Sequence, residues 1–371
     1  MVSIAAKNLL HDRTRVVVSA GGVGFSIMLV LILAGTYDGF YRQAGLFTEN
    51  SGADLFVGQA GVVDTLHSFS ILPLNLTDDV AAVPGVERVC AIISRTVELH
   101  VGDSNHPKAI LVGYNESHGT AGPWKILEGQ RLPGRGEIVV DQIMARKNGL
   151  SLGSDVRIGG KEFRVTGISA ETNMFIMQYA FVRYDEIEGL VLPPATATYF
   201  LVKVSLGADV ARVQADINAR FPGVQAFTLD EITANNRNVI SGLFLPILLT
   251  LYTIGFVIGI TVIALTVYTA TMERSKEYGV LKAIGSGTRT LARIVLSQAL
   301  LLAGFGFLAG LAITAATASL IGYAVPEMYL YFTPYQVGFV LAAAVGMSAV
   351  ATALPLGRLV RIDPATIFRR G

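Results

Sequence analysis

The densest run of charge beside apolar residues is Glu273–Gly285, which reads ERSKEYGVLKAIG. Glu273, Arg274, Lys276, Glu277 and Lys282 place both signs of charge on what reads as one short helix, with Tyr278, Gly279 and the closing Gly285 beside them. Glu273 and Glu277 are one helical turn apart and would share a face. These residue types do not break bonds at this spacing; they pair with charges in a groove on a partner. A solvated helix at a membrane surface would have the same composition, and the spacing alone does not separate the two. A second group is aromatic: Tyr37, Phe40 and Tyr41 with Arg42, then Met328, Tyr329 and Tyr331, followed by Phe332 and Tyr335. It suits a lateral pocket for a lipophilic or haem-like molecule, since Tyr and Met can both ligate haem iron. An ordinary interfacial aromatic belt uses the same residues.

The elements that must position these groups are apolar. The chain has 371 residues, 52% hydrophobic and 15% charged, where a soluble domain carries about 25% charge. Mean hydropathy is +0.53. About 20 apolar residues cross a bilayer, and four runs are long enough: 16–37, 239–272, 294–326 and 335–357. The first follows Lys7, Arg13 and Arg15, as a signal peptide would, but it is long for one and reads as a retained span. Basic residues precede the first span, lie between the second and third (Arg274, Lys276, Lys282, Arg289, Arg293), and follow the fourth (Arg358, Arg361, Arg369, Arg370). With four spans all three clusters fall on one side, the cytoplasm. Both termini are then cytoplasmic, and residues 38–238 lie outside. Residues 1–15 read as an interfacial helix, 273–293 as a cytoplasmic connection, and 358–371 as a cytoplasmic tail.

The outer region reads as α/β. Strands are expected over Val86–Ile93, Thr96–Val101, Ala109–Tyr114, Glu137–Val140 and Thr198–Val204, with a Gly159-Gly160 hairpin between Asp155–Ile158 and Glu162–Gly167. Helices are expected over Gln142–Asn148 and Asp209–Phe221. Leu76–Cys90 and Val210–Phe227 both read helix, Pro-Gly-Val, strand, which suggests two related halves. An ordinary α/β sandwich is the plainer account.

Several chemistries are missing. No GxxxxGK[ST] phosphate loop occurs, and Gly285-Ser286-Gly287-Thr288 has neither the lysine nor the preceding strand. HExxH and CxxC are also absent. The single cysteine, Cys90, and five scattered histidines offer no metal-ligand spacing. The spans carry no ionisable group of the kind that ion-coupled carriers need. Energy for any work must therefore come from outside the chain.

Glu273–Gly285 closely resembles the ERxxEIGxLKAIG segment of MacB/FtsX-type ABC permeases, with Tyr278 where isoleucine is usual. Arg135–Val140 followed by Ala145–Ser154 is similar to the corresponding stretch of the MacB-like periplasmic core domain. Ala6–Leu10 with Arg13–Arg15, and Asp363–Ala365 before Arg369, also fit. The chain is thus identified as a member of that family, most like the DevC or haem-exporter branch in which the ATPase is a separate polypeptide.

The resemblance implies four transmembrane helices around a periplasmic α/β (α+β) core domain. It also implies a permease homodimer in the bacterial inner membrane, bound to two ATPase subunits that hold the ATP and Mg²⁺. Residues 273–285 become the ATPase-coupling element, and movement of helices and outer lobes becomes the means of export or extraction. A periplasmic adaptor is a further partner the family allows; nucleic acid is not one. The competing reading is an FtsX-like signalling protein that activates a periplasmic partner and transports nothing.

Overall fold

The computed structural model describes residues 13–102, 106–115, 120–175 and 177–360. The expected interfacial helix lies almost wholly outside them, as does most of the C-terminal tail. The chain forms two compact units. One comprises residues up to Asp38, Phe244–Val325 and Tyr329 onward; the other comprises Gly39–Leu243 with Pro326–Met328.

The first elements are α1 (Arg13–Glu49), β1 (Leu55–Gln59), β2 (Leu72–Pro73), α2 (Leu76–Ala81), β3 (Val86–Glu98) and β4 (Lys108–Tyr114). There follow β5 (Ile126–Gly129), β6 (Glu137–Asp141), α3 (Gln142–Asn148), β7 (Asp155–Ile158), β8 (Lys161–Ser169), β9 (Asn173–Met174), β10 (Met177–Arg183) and α4 (Tyr184–Ile187). Next come β11 (Thr196–Ala197), β12 (Tyr199–Val204), α5 (Val210–Arg220) and β13 (Val224–Thr228). The last are α6 (Leu229–Glu273), α7 (Ser275–Ala283), α8 (Thr288–Ala324), α9 (Pro334–Ala351) and α10 (Ala353–Val360).

In the domain unit the strands run β13-β1-β12-β3-β4-β10-β6-β8-β5. The first four, with α2 and α5, make the order β1-α2-β3-β12-α5-β13 along the chain. That is the split βαβ arrangement of ferredoxin-like folds, and β4 to β11 are inserted between its second and third strands. The two helix–Pro-Gly-Val–strand pieces are the paired βαβ units of this one lobe. They are not two separate halves of the domain, because Val80, Val83, Val213, Ile217 and Val224 bury in a single cluster.

Strand β3 was expected as two strands and is one. Val86–Ile92 pairs with β12 and Ile93–Glu98 pairs with β4. Ile92 and Ile93 point to opposite faces of the strand and both are fully buried, in different clusters, so β3 runs unbroken while its partner changes from β12 to β4.

Helix α3 begins where Asp141 caps it, its Oδ1 accepting the Ile143 N–H at 2.8 Å. It ends at Gly149 in the left-handed region. Burial pushes the Asp141 carboxyl up despite hydrogen bonds from Thr172 and Ile143.

Among the described residues of the chain, four helices are long and apolar enough to span a membrane: Thr14–Glu49, Leu229–Glu273, Thr288–Ala324 and Pro334–Leu359. In the membrane unit α1 and α8 cross closely. A Cβ added at Gly306 would meet Val23 at 2.5 Å, and one at Gly310 would meet Ile27 at 2.6 Å. These glycines pack within the protomer, whereas Gly304 and Gly21 have open space around them.

Candidate functional site

The coupling segment is not one continuous helix. Helix α6 ends at Glu273, and Arg274 leaves helical geometry (φ −102°, ψ 19°) before α7 begins at Ser275. Glu273 and Glu277 therefore belong to different helices. Arg15 grips Glu273 through two bonds, Nη1 donating to Oε2 at 2.8 Å and Nη2 to Oε1 at 2.7 Å. Glu273 is a brace within the unit. Arg274 lies 3.6 Å from Glu277, an i,i+3 pair.

The other face of α7 is core. Tyr278 is buried with Leu291, Ile294 and Leu359, and its hydroxyl accepts Gln298 Nε2 at 3.3 Å. Gly279 is buried beside it. Tyr278 and Gly279 therefore hold α7 onto α8 and α10, and neither forms an outward surface.

Gly285 acts as a stop. It sits at φ 99°, its N–H donates to the Lys282 carbonyl at 3.1 Å, and the Ser286 N–H donates to the Leu281 carbonyl at 2.9 Å. This is the Schellman pattern, and the positive φ explains the glycine.

Of the eight residues singled out, Glu273, Lys276, Glu277 and Gly285 are exposed and Arg274 and Lys282 are half-buried. Three others join them at the surface: Val280 (41% exposed), Leu281 (36%) and Ile284 (78%). Glu277, Val280, Leu281 and Ile284 follow i, i+3, i+4, i+7 and line one face. The sequence reading passed over the apolar three because it followed charge. Spacing alone signalled them, since Tyr278 and Gly279 start a different stripe.

The aromatic group draws on both units. Tyr37, Tyr329 and Tyr331 belong to the membrane unit, and Phe40, Tyr41, Arg42 and Met328 to the domain unit. In the membrane unit a cavity of about 280 Å³ is lined by Tyr37, Asp38, Tyr252, Tyr335, Gln336 and Phe339, among others. Tyr329 and Tyr331 are not on its wall; the Tyr331 N–H donates to the Gly35 carbonyl at 3.0 Å.

Asp38 accepts from Gln336 Nε2 at 2.7 Å, and Gln336 closes a capping box with Thr333 at the start of α9. The sequence reading missed Asp38, Tyr252 and Gln336. Thr333-Pro-Tyr-Gln was the available signal, as a capping box before an apolar run.

In the domain unit Phe40 meets Phe175 edge-on at 4.6 Å, and Arg237 lies over Tyr41 at 5.4 Å. Beside the half-buried Met328, Glu327 is buried and ion-paired with Lys147.

These features define a polytopic membrane protein with a sheet-rich α/β domain between its first and second spans. A family model of the MacB-like periplasmic core domain matches residues 16–220, and one of the FtsX-like permease C-terminal region matches residues 239–364. The chain belongs to the MacB/FtsX-like family of ABC transporter permeases.

An uncharacterized ABC transporter permease of Mycobacterium tuberculosis is 24% identical, over 99% of this chain and 99% of that one. The putative hemin transport system permease protein HrtB of Staphylococcus epidermidis is 20% identical, over 98% of each. The periplasmic region of MacB from Actinobacillus actinomycetemcomitans superposes with a TM-score of 0.40 at 15% identity, covering 51% of this chain and 94% of that one.

Proposed function

We propose that this permease is driven by a separate ABC ATPase that docks on the outward face of α7, and that it exports or extracts a lipophilic or haem-like substrate. The observation that carries the reading is the uncovered stripe of Val280, Leu281 and Ile284 beside Lys276 and Glu277. An apolar stripe on a helix between two spans calls for cover, and the neighbouring charges fit a polar rim around such a contact.

The chain has no phosphate loop of its own, so ATP and Mg²⁺ belong to the partner. The basic clusters support cytoplasmic termini, a cytoplasmic α7, an outer domain and insertion in the bacterial inner membrane. Two permeases with two ATPases make the working assembly, in which nucleotide-driven closure moves the helices and the outer domain together. The relationship to HrtB favours the haem-like end of the substrate range.

The test is purification from native membranes. The wild-type chain should bring down an ABC ATPase, and the Leu281→Asp/Ile284→Asp variant should insert at normal yield and lose it. Retention of the ATPase by that variant would contradict the docking face.

A further inference from the structure

The domain unit holds a second cavity, of about 180 Å³, against Ser94–Thr96 in the part of β3 that pairs with β4. An engineered cavity of about 150 Å³ holds benzene, so this one accommodates an aromatic ring with a little room to spare. Its apolar wall includes Phe47, Ile110, Met174, Met177 and Tyr179. Met174 and Met177 are cross-strand partners in the β9–β10 hairpin and so lie on one face. The polar wall includes His67, Ser68, Ser94, Arg95 and Thr96, and no carboxylate lines the cavity.

Two donors there lack strong acceptors. The Arg95 guanidinium lies 4.1 Å from the ring centroid of Phe69, another lining residue, and among the described residues no carboxylate pairs with it. Asp64, close by in sequence, is committed elsewhere: Oδ1 accepts the Leu66 and His67 N–H groups at 2.8 and 2.7 Å, and Oδ2 accepts the Ser68 hydroxyl at 2.9 Å. Tyr179 is 4% exposed, and its hydroxyl donates to the Met174 Sδ at 3.8 Å, a weak acceptor.

We propose that this cavity binds a small amphipathic anion, with one carboxylate on Arg95 and a flat apolar body against Met174, Met177 and Tyr179. A planar guanidinium suits a carboxylate, thioethers and aromatic rings suit a flat body, and the carboxylate head offers the Tyr179 hydroxyl a better acceptor than the Met174 sulfur. The ligand would touch side chains of β3, β4, β10 and β12. The site is independent of the ATPase reading, since it lies wholly within the domain unit.

Trp124 is the only tryptophan, and its ring sits 6.1 Å from that of Tyr179, so its fluorescence reports on the cavity. The full-length detergent-purified protein should show a saturable fluorescence change and a binding heat with phenylpropionate. Phenylpropanol should bind about tenfold more weakly, and phenylpropylamine more weakly still. Arg95→Gln should lower phenylpropionate affinity about tenfold and leave phenylpropanol unchanged, and Arg95→Lys should recover part of the loss. Equal binding of the three probes would overturn the proposal. So would an Arg95→Gln effect common to all of them, or no saturable phenylpropionate binding.

Discussion

Helices α5 and α7 are nearly the same length, 11 and 9 residues, and each buries two residues on its inner face. Val213 and Ile217 seat α5 in the ferredoxin-like lobe, and Tyr278 and Gly279 seat α7 against α8 and α10. Their outer faces differ. That of α5 carries Ala211, Arg212, Ala215 and Ala219, whereas α7 exposes Val280, Leu281 and Ile284. A helix complete in its own fold shows small and polar residues outward; α7 adds three large apolar residues to Lys276 and Glu277 there, and the proposed docking rests on that difference.

The largest effect should come from breaking what the two helices share. Tyr278→Ala removes a buried aromatic ring and should cost about 3 kcal/mol or more, read as a lower thermal midpoint and yield. Were that variant as stable as wild type, Tyr278 would not be the inner anchor.

Next in size is a domain carboxylate that is fully used within its own loop. Burial raises the Asp64 pKa, but hydrogen bonds from the His67, Leu66 and Ser68 N–H groups and the Ser68 hydroxyl outweigh it and hold the carboxyl below its ordinary 3.8. The stability it contributes is complete above that value and is lost as the pH falls through the lower native one. Asp64→Asn should cost about 2 kcal/mol at neutral pH and flatten the acid limb of domain unfolding followed by Trp124. An acid limb unchanged by the substitution would remove Asp64 from the account.

The smallest effect should be at the end of α7. Gly285→Ala forces a side chain into the left-handed region, costs about 1 kcal/mol, and should loosen α7 as read by hydrogen exchange at Ile284 and Ser286. Exchange identical to wild type would show that the Schellman turn is not needed.

The sequence was most legible where pattern and punctuation agree. Helix α3 was read to its last residue because Asp141 caps it and Gly149 stops it, and the Gly159-Gly160 hairpin was read from its turn. The spans followed from their length, although α1 runs on to Glu49 and α6 starts at Leu229. The single β3 was hidden because nothing local distinguishes one strand that changes partners from two strands. The place of the helix–Pro-Gly-Val–strand repeat in one lobe was hidden because topology depends on an insertion between distant strands. At α7 the charges drew the eye, but Glu273 is consumed by Arg15, a partner 258 residues away in sequence. The face proposed for docking is instead an apolar stripe, legible only once Tyr278 was known to be buried.

The most direct measurement is site-specific photo-crosslinking in native membranes, with the probe placed at Ile284 or at Leu265, an exposed residue within the α6 span. The account predicts an ABC ATPase adduct from position 284 and none from position 265. Lipid adducts alone at position 284 would contradict it.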